Sequence, residues 1–167
     1  CHPASIMVYF LGMPKTLYYT RTEIGTGTAL FTFDGGVSCA IHMTNGAPPN
    51  LGLEHTCILG SQRRHITIQN NIRVTYVRNA AVGYGNNPDF YGSIPEENAA
   101  LVWEPEFSLG QLYNKGLFIE GFYQEMEELA QCAITNQAPE KGTLEHAWQV
   151  TRIFEAFAEG PDKIITI

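Results

Sequence analysis

The chain has 167 residues, 44% of which are hydrophobic, and a formal net charge of −7. This length is enough for one domain with a sizeable core, and the hydrophobic share excludes a disordered chain. The acidic balance argues against nucleic acid or an anionic membrane as a partner, because both are bound through a basic face. No apolar run reaches the roughly 18 residues of a membrane span. Because the sequence begins at Cys1 rather than Met, it is expected to be a fragment or a processed chain.

The middle of the chain is predicted to form successive β-hairpins. Two strands are expected over 15–24 and 28–33, followed by a hairpin turn at Asp34-Gly35-Gly36. Further strands are expected over 53–59 and 64–69, and then around three alternating apolar residues, Ile72, Val74 and Tyr76. The strand after the first turn alternates between an apolar face, with Val37, Cys39, Ile41 and Met43, and a semi-polar face, with Ser38, Ala40, His42 and Thr44.

These hairpins predict an α+β fold with an open, largely antiparallel β-sheet and helices from both ends of the chain packed on one face. Residues 1–167 are expected to form a single domain. The other face of the sheet would carry Thr32 and the semi-polar residues of the third strand. It is either exposed to solvent or covered by a partner.

The segment from Asn79 to Asn114 has no clear periodicity, as is typical of functional or mobile loops. Its aromatic, carboxamide and carboxylate side chains suit a sugar or polyol, because they offer apolar ring faces and hydrogen-bonding groups for hydroxyls. The alternative is a surface excursion anchored in the core by Trp103 and Tyr113. The substrate-binding candidates are Trp103, Glu104, Tyr84, Asn86 and Tyr91.

The last fifty residues predict two helices and a strand that dock on the sheet. The first helix, over 117–134, ends before Pro139, and Thr143 is expected to be the N-cap of the second. Gly160-Pro161 stops the second helix, and 163–167 form a terminal strand. Apolar stripes are expected at Phe118, Phe122, Met126, Leu129 and Ala133 of the first helix, and at Ala147, Val150, Thr151, Phe154 and Ala158 of the second.

The remaining motifs argue against a metal or nucleotide site in this chain. The histidines His42, His55 and His65 fall on separate strands, and no C-x-x-C pair exists, so no metal site is predicted. Gly25-Thr26-Gly27 and Gly83-Tyr84-Gly85 do not precede a helix, as a dinucleotide fingerprint requires. The four cysteines are either buried free thiols of a cytosolic protein or include a Cys39–Cys57 disulfide, if those strands are neighbours.

Both ends of the chain resemble one enzyme family. Glu120-Gly121-Phe122, the turn Asn136-Gln137-Ala138-Pro139 and then Arg152-Ile153-Phe154-Glu155-Ala156 before a closing strand are similar to the end of Gfo/Idh/MocA-type oxidoreductases, the relatives of glucose–fructose oxidoreductase and inositol dehydrogenase. In that family glycine is common where this chain has Asn136. The segment from His2 to Gly12 resembles the family's helix that begins with its catalytic histidine, with Ser5 where aspartate is usual.

The resemblance implies the C-terminal substrate-binding and oligomerisation domain of an NAD(P)-dependent oxidoreductase acting on a sugar, polyol or related hydroxyl or ketone compound. His2 would be the catalytic residue, exchanging the proton of the substrate hydroxyl. NAD or NADP would bind to an N-terminal Rossmann domain that is not part of this sequence, so the isolated chain is expected to be inactive and to bind no cofactor. The resemblance also implies a homo-oligomer that pairs through the open sheet face. The protein is expected to be cytoplasmic. The alternative is a non-catalytic binding or dimerisation module with the same architecture.

Overall fold

The structure is a computed structural model that describes residues 2–46, 54–60, 64–70, 73–77, 100–104 and 121–167. These residues form an α+β fold with antiparallel strand pairing, which confirms the predicted fold class. The described strands make two four-stranded sheets. By their contacts, the residues divide into two compact units, Cys1–Gly46 with Glu125–Ile167, and Ala47–Gln124. Each unit is described by itself below.

The first unit joins the two ends of the chain in one antiparallel sheet. Its elements are α1 (His2–Leu11), β1 (Thr16–Arg21), β2 (Gly27–Thr32), β3 (Ser38–Met43), most of α2 (Phe122–Thr135), α3 (Leu144–Ala158) and β8 (Ile164–Thr166). The strand order is β3-β2-β1-β8, and β8 pairs with β1, placing Ile165 opposite Leu17.

The core of the first unit lies between one face of this sheet and the helices α1 and α3. Alternate strand residues point to opposite faces, and on this face Leu17 and Phe31 are fully buried. From the helices, Met7 and Ile153 pack into the same cluster. The predicted arrangement of helices on one face of a sheet therefore holds for this unit. The opposite face carries exposed residues, among them Tyr18, Leu30, Ala40 and Ile164.

Two glycine-containing turns connect the strands of the first sheet. A Cβ atom on Gly27 would lie 2.0 Å from the carbonyl oxygen of Thr20, so the close approach of β1 requires glycine there. The predicted turn after β2 is confirmed, and Gly35 and Gly36 in it both have positive φ, at 69° and 79°. Such angles are open to glycine at little steric cost.

The N-cap predicted for the second C-terminal helix is confirmed. Thr143 is the N-cap of α3, and its Oγ1 accepts a hydrogen bond from the backbone N–H of His146 at 3.1 Å. Asn136 follows α2 with φ of 54°, a left-handed conformation that asparagine adopts more readily than most other non-glycine residues.

The predicted apolar stripes of these helices are largely wrong about burial. In α3 the buried residues are Val150, Ile153 and Ala156, so only Val150 of the predicted stripe is buried. The buried face of α3 packs against both α1 and the sheet. Thr151 and Phe154 each lie one position after a buried residue of that face, so they are turned away from it. None of the residues of α2 is buried; Phe122, Met126 and Leu129 each expose more than half of their surface. Periodicity identifies an apolar face but does not determine what covers it.

The second unit contains another antiparallel sheet. Its described strands are β4 (His55–Leu59), β5 (His65–Gln69), β6 (Arg73–Val77) and β7 (Leu101–Trp103), and they lie side by side in that order. The register places Ile58, Ile66, Tyr76 and Leu101 side by side. The neighbouring row on the same face is Thr56, Ile68, Val74 and Trp103. This sheet therefore has one predominantly apolar face.

Among the described residues, no helix is both long and apolar enough to cross a membrane. Cys39 and Cys57 are free thiols in different sheets. Of the two alternatives left open by the sequence, the structure therefore has the free thiols. The prediction that they are buried is wrong, because Cys57 is exposed and Cys39 and Cys132 are partly exposed.

The packing of the first unit makes a stability prediction for Tyr19. Its hydroxyl donates a 2.6 Å hydrogen bond to the carbonyl oxygen of Phe157 in the last turn of α3, and only 6% of Tyr19 is exposed. Replacement of Tyr19 by Phe is expected to lower the free energy of unfolding by about 1 kcal/mol, because a partly buried hydrogen bond is lost while the ring is kept.

Urea denaturation followed by circular dichroism measures this change. Tyr9→Phe is the control, since Tyr9 on α1 exposes 59% of its surface. The Tyr9 variant is expected to stay within about 0.5 kcal/mol of the unchanged protein. Equal effects of the two substitutions would contradict the proposed contribution of the Tyr19 hydroxyl.

Candidate functional site

The predicted catalytic residue, His2, is the first residue of α1 and is exposed. Ser5 lies one helical turn further along, and residues three apart in a helix occupy neighbouring surface positions. Ala4, Met7 and Val8 of the same helix are buried in the core of the first unit. The body of α1 is therefore fixed by packing, whereas its first turn presents His2 at the surface.

Ser5 is joined to α3 by a hydrogen bond that the sequence did not predict. Its Oγ lies 2.8 Å from Nε2 of His146, and the pair is partly buried. His146 is the third residue of α3, and its backbone N–H donates to the N-cap Thr143. The cap thus fixes the backbone that carries the imidazole. No signal in the sequence could have revealed the pair, because the two residues are 141 positions apart and only the packing of α1 on α3 brings them together.

The pair lies in the wall of a groove of about 470 Å³ between α1 and the start of α3. Ile6, Val8, Tyr9 and Phe10 line the α1 side. Several polar groups of the groove bond to one another. In addition to the Ser5–His146 bond, the side-chain amide of Gln149 donates to Glu145 at 3.3 Å. The groove thus lies where α1 and α3 pack together, and the polar side chains named here are hydrogen-bonded to one another.

Two of the substrate-binding candidates, Trp103 and Glu104, lie at the end of the edge strand β7. Trp103 is on the apolar face of the second sheet and exposes 62% of its surface. The carboxylate of Glu104 forms an ion pair with Arg73, with N···O distances of 3.0 and 2.8 Å from Nε and a terminal guanidinium nitrogen. The side chains of this pair are about half exposed, so its contribution to stability is small.

The structure thus brings Trp103 and Glu104 together at the end of one strand. They belong to the second compact unit, while His2 belongs to the first. The other candidates, Tyr84, Asn86 and Tyr91, lie outside the described residues, and so do Tyr113, the second predicted core anchor, and Gly83-Tyr84-Gly85. The substrate-binding role of all five candidates stays a prediction.

Of the histidines on the strands, one has a hydrogen-bond partner on a neighbouring strand, and the other two are far apart along their strands. His42 on β3 is hydrogen-bonded through Nδ1 to Thr28 Oγ1 across the open face, at 2.8 Å. His55 and His65 lie on the neighbouring strands β4 and β5, at opposite ends of the paired segment. No group of three metal-binding side chains occurs within the part of the chain that the structure describes.

The motifs behind the family resemblance have packing roles in the structure. In the segment Arg152 to Ala156, Ile153 and Ala156 are buried in the core of the first unit. Arg152 and Glu155 form an ion pair one turn apart on the exposed side of α3. Gly25 and Gly27 belong to the connection between two paired strands, which differs from the strand–turn–helix setting of a dinucleotide site.

No match to this chain was found among protein-family models, curated proteins or solved structures. The family resemblance therefore depends on the residues quoted for it and remains a prediction.

The nucleophilic thiols differ in their surroundings, and this makes a prediction about their reactivity. Burial raises the pKa of the Cys39 thiol above its ordinary value, whereas Cys57 is exposed. Because the thiolate is the reacting species, a raised pKa leaves a smaller reactive fraction of Cys39 at any pH below it. We expect iodoacetamide at pH 8 to alkylate Cys57 several-fold faster than Cys39.

Peptide mass spectrometry over a time course measures both rates in one sample. In a Cys57→Ser variant, the slow labelling of Cys39 is expected to persist. Labelling of Cys39 at the rate of Cys57 in the folded protein would contradict the prediction, and unfolding in urea is expected to remove the difference.

Proposed function

We propose that this chain is the C-terminal substrate-binding and oligomerisation domain of an NAD(P)-dependent oxidoreductase that acts on a sugar, polyol or related hydroxyl or ketone compound. The observation that carries the proposal is the packing of the two segments behind the family resemblance. The helix that begins with His2 packs on the helix that contains Arg152 to Ala156. Both cover one face of an antiparallel sheet that the C-terminal strand completes.

In this proposal His2 would exchange the proton of the substrate hydroxyl, and bound NAD or NADP would supply or accept the hydride at the carbon that bears this hydroxyl. A histidine suits this role because its ordinary pKa lies near neutral pH, so that it can both accept and donate a proton. The exposure of His2 at the first turn of α1 supports the role, since a substrate can reach the imidazole. The chain would supply this group, and an upstream Rossmann domain would bind NAD or NADP.

Trp103 and Glu104 are proposed to contact the substrate. An exposed indole ring offers an apolar surface for one face of a sugar ring. The Glu104 carboxylate is held by Arg73 and retains acceptor capacity for a substrate hydroxyl. Tyr84, Asn86 and Tyr91 are proposed to complete this surface, and the intact enzyme is proposed to be cytoplasmic.

The exposed face of the first sheet is proposed to pair with a second copy of the chain. Its central row crosses all four strands at Ala40, Leu30, Tyr18 and Ile164, which the register places side by side. Leu30 and Ile164 expose 45% and 74% of their surfaces. Rows of threonine flank this apolar row, a mixture that suits a contact with an apolar centre and a polar rim.

A second candidate function is a non-catalytic dimerisation module. The apolar row on the open sheet face favours it, because dimerisation through that surface does not require a catalytic His2. The two functions share the same interface and differ only in hydride transfer, so an assay of turnover separates them.

The test of the proposed function compares this chain with the full-length protein. We expect NADH or NADPH to bind the full-length protein only, as measured by tryptophan and nicotinamide fluorescence. We also expect oxidation of the reduced cofactor with at least one member of a panel of sugars and ketones. Binding without turnover, or no binding by either form, would favour the dimerisation module, and binding by the short chain would reveal a nucleotide site within it.

The role of His2 is tested in the same assay. His2→Ala is expected to lower kcat by about 100-fold or more, the usual contribution of a general acid–base group, with cofactor affinity unchanged. His55→Ala is the control, because it removes an exposed histidine from the second unit. Equal turnover of the His2 variant and the unchanged enzyme would contradict the catalytic role of His2.

The proposed interface predicts a change of oligomeric state on Leu30→Glu. The substitution places a carboxylate at the centre of the apolar row, and burial of an unpaired charge is costly. We expect light scattering at micromolar concentration to show a dimer for the unchanged chain and a monomer for this variant. Leu144→Glu is the matched control, because Leu144 is 91% exposed in the first turn of α3. A monomeric unchanged chain would refute the interface.

A further inference from the structure

We propose that Ser5 and His146 form a nucleophile–base pair that hydrolyses carboxylic esters bound in the groove between α1 and α3. The proposal goes beyond the proposed function, because this reaction uses neither a nicotinamide nor His2. Two observations carry it. The serine hydroxyl and the imidazole are in hydrogen-bond contact, and both residues line an open groove.

The serine and the histidine meet at the distance that nucleophilic catalysis requires. Ser5 Oγ lies 2.8 Å from Nε2 of His146, within the roughly 2.6–3.2 Å reach of a nucleophile and its base. When the imidazole carries its proton on Nδ1, Nε2 accepts the hydrogen bond from the Ser5 hydroxyl. In that tautomer the imidazole can take the hydroxyl proton as the oxygen attacks a carbonyl carbon.

Both side chains are held by packed helices and still face the groove. Each is partly exposed, and the groove that they line has a volume of about 470 Å³. Ala4 and Val8, on either side of Ser5 in the sequence, are buried in the core. The backbone of His146 is hydrogen-bonded to its N-cap, Thr143. The pair is therefore preorganised, and a small molecule in the groove can reach the serine hydroxyl.

The start of α3 favours the negative charge that develops when a serine attacks an ester. Thr143 and Glu145 of this helix start line the groove. The first N–H groups of a helix have no acceptor within the helix and give its N-terminus a partial positive charge. Positive potential of this kind stabilises the oxyanion of a tetrahedral intermediate.

The lining of the groove indicates a neutral ester with an apolar acyl chain. Tyr9 and Phe10 on the α1 side expose 59% and 52% of their surfaces, and their rings contact each other edge to face. Such rings offer an apolar surface to an acyl chain. The charged residues of the groove are Glu140, Lys141 and Glu145, so no excess of positive charge selects an anionic substrate.

The reaction balances with water as its second reactant. Ser5 Oγ forms a bond to the ester carbonyl carbon, and its proton passes to Nε2 of His146. The bond to the alcohol oxygen then breaks, and the alcohol leaves with that proton while the acyl group stays on Ser5. Water attacks the acyl group and gives a proton to His146. The Ser5 oxygen takes this proton back as the carboxylic acid leaves.

A covalent probe tests the nucleophile in the full-length protein. An alkyl fluorophosphonate forms a stable phosphonyl ester with an activated serine and releases fluoride. We expect peptide mass spectrometry to find this adduct on Ser5 well before it forms on Ser38, which is the matched control because it is an exposed serine on β3. Labelling of Ser38 at the rate of Ser5 would overturn the proposal.

Turnover of p-nitrophenyl butyrate tests the two roles. Ser5→Ala and His146→Gln are each expected to lower kcat/KM by about 100-fold or more, the usual contribution of a general acid–base group. Glutamine can still hydrogen-bond to Ser5 but is not a base. His55→Ala is the control, because an exposed histidine can itself attack a nitrophenyl ester. This variant is expected to stay within about twofold of the unchanged protein.

The outcomes separate the nucleophile from the base and both from a loss of folding. Hydrolysis that Ser5→Ala leaves within about twofold refutes the serine as nucleophile. A rate that falls in Ser5→Ala but not in His146→Gln refutes the histidine as base. Circular dichroism shows whether each variant keeps its fold, and if one does not, the labelling of Ser5 against Ser38 in the unchanged protein decides.

Discussion

The first unit depends on the burial of one sheet face by two helices from opposite ends of the chain. Leu17 and Phe31 on the strands, Ile153 on α3 and Ile165 on β8 are fully buried in this cluster. Two of the four come from the last fifteen residues, so the core closes only when the C-terminal segment returns to the N-terminal strands. Contacts of such wide sequence separation are entropically costly to form and are offset by the apolar surface that they bury.

This closure connects features that appear unrelated in the sequence. The strand β8 lies next to β1. The hydroxyl of Tyr19 on β1 donates a hydrogen bond to the carbonyl oxygen of Phe157 in the last turn of α3. The first turn of α3 meets Ser5 of α1. One helix is therefore bonded at its two ends to two elements from the start of the chain. The packing role of the Arg152 to Ala156 segment follows, because Ile153 and Ala156 face the centre of this arrangement.

Sequence patterns predicted the local structure because its causes are local. The alternation from Val37 onward marked β3, Asp34-Gly35-Gly36 marked its turn, and Thr143 marked the start of α3, where a short polar side chain caps the first N–H groups. Burial was predicted less well, because it depends on partners. Val37 and Met43 are exposed since β3 is an edge strand, and the apolar stripe of α2 is exposed as well.

In the candidate site, too, the local structure could be predicted from the sequence and the tertiary contacts could not. The placement of His2 at the start of a helix followed from the order of residues, whereas the contact between Ser5 and His146 could arise only from tertiary packing. Core packing fixes α1 from Ala4 onward, and a hydrogen bond is directional in a way that apolar contact is not. The Ser5–His146 bond therefore adds a directional contact between α1 and α3 to the apolar packing of the two helices.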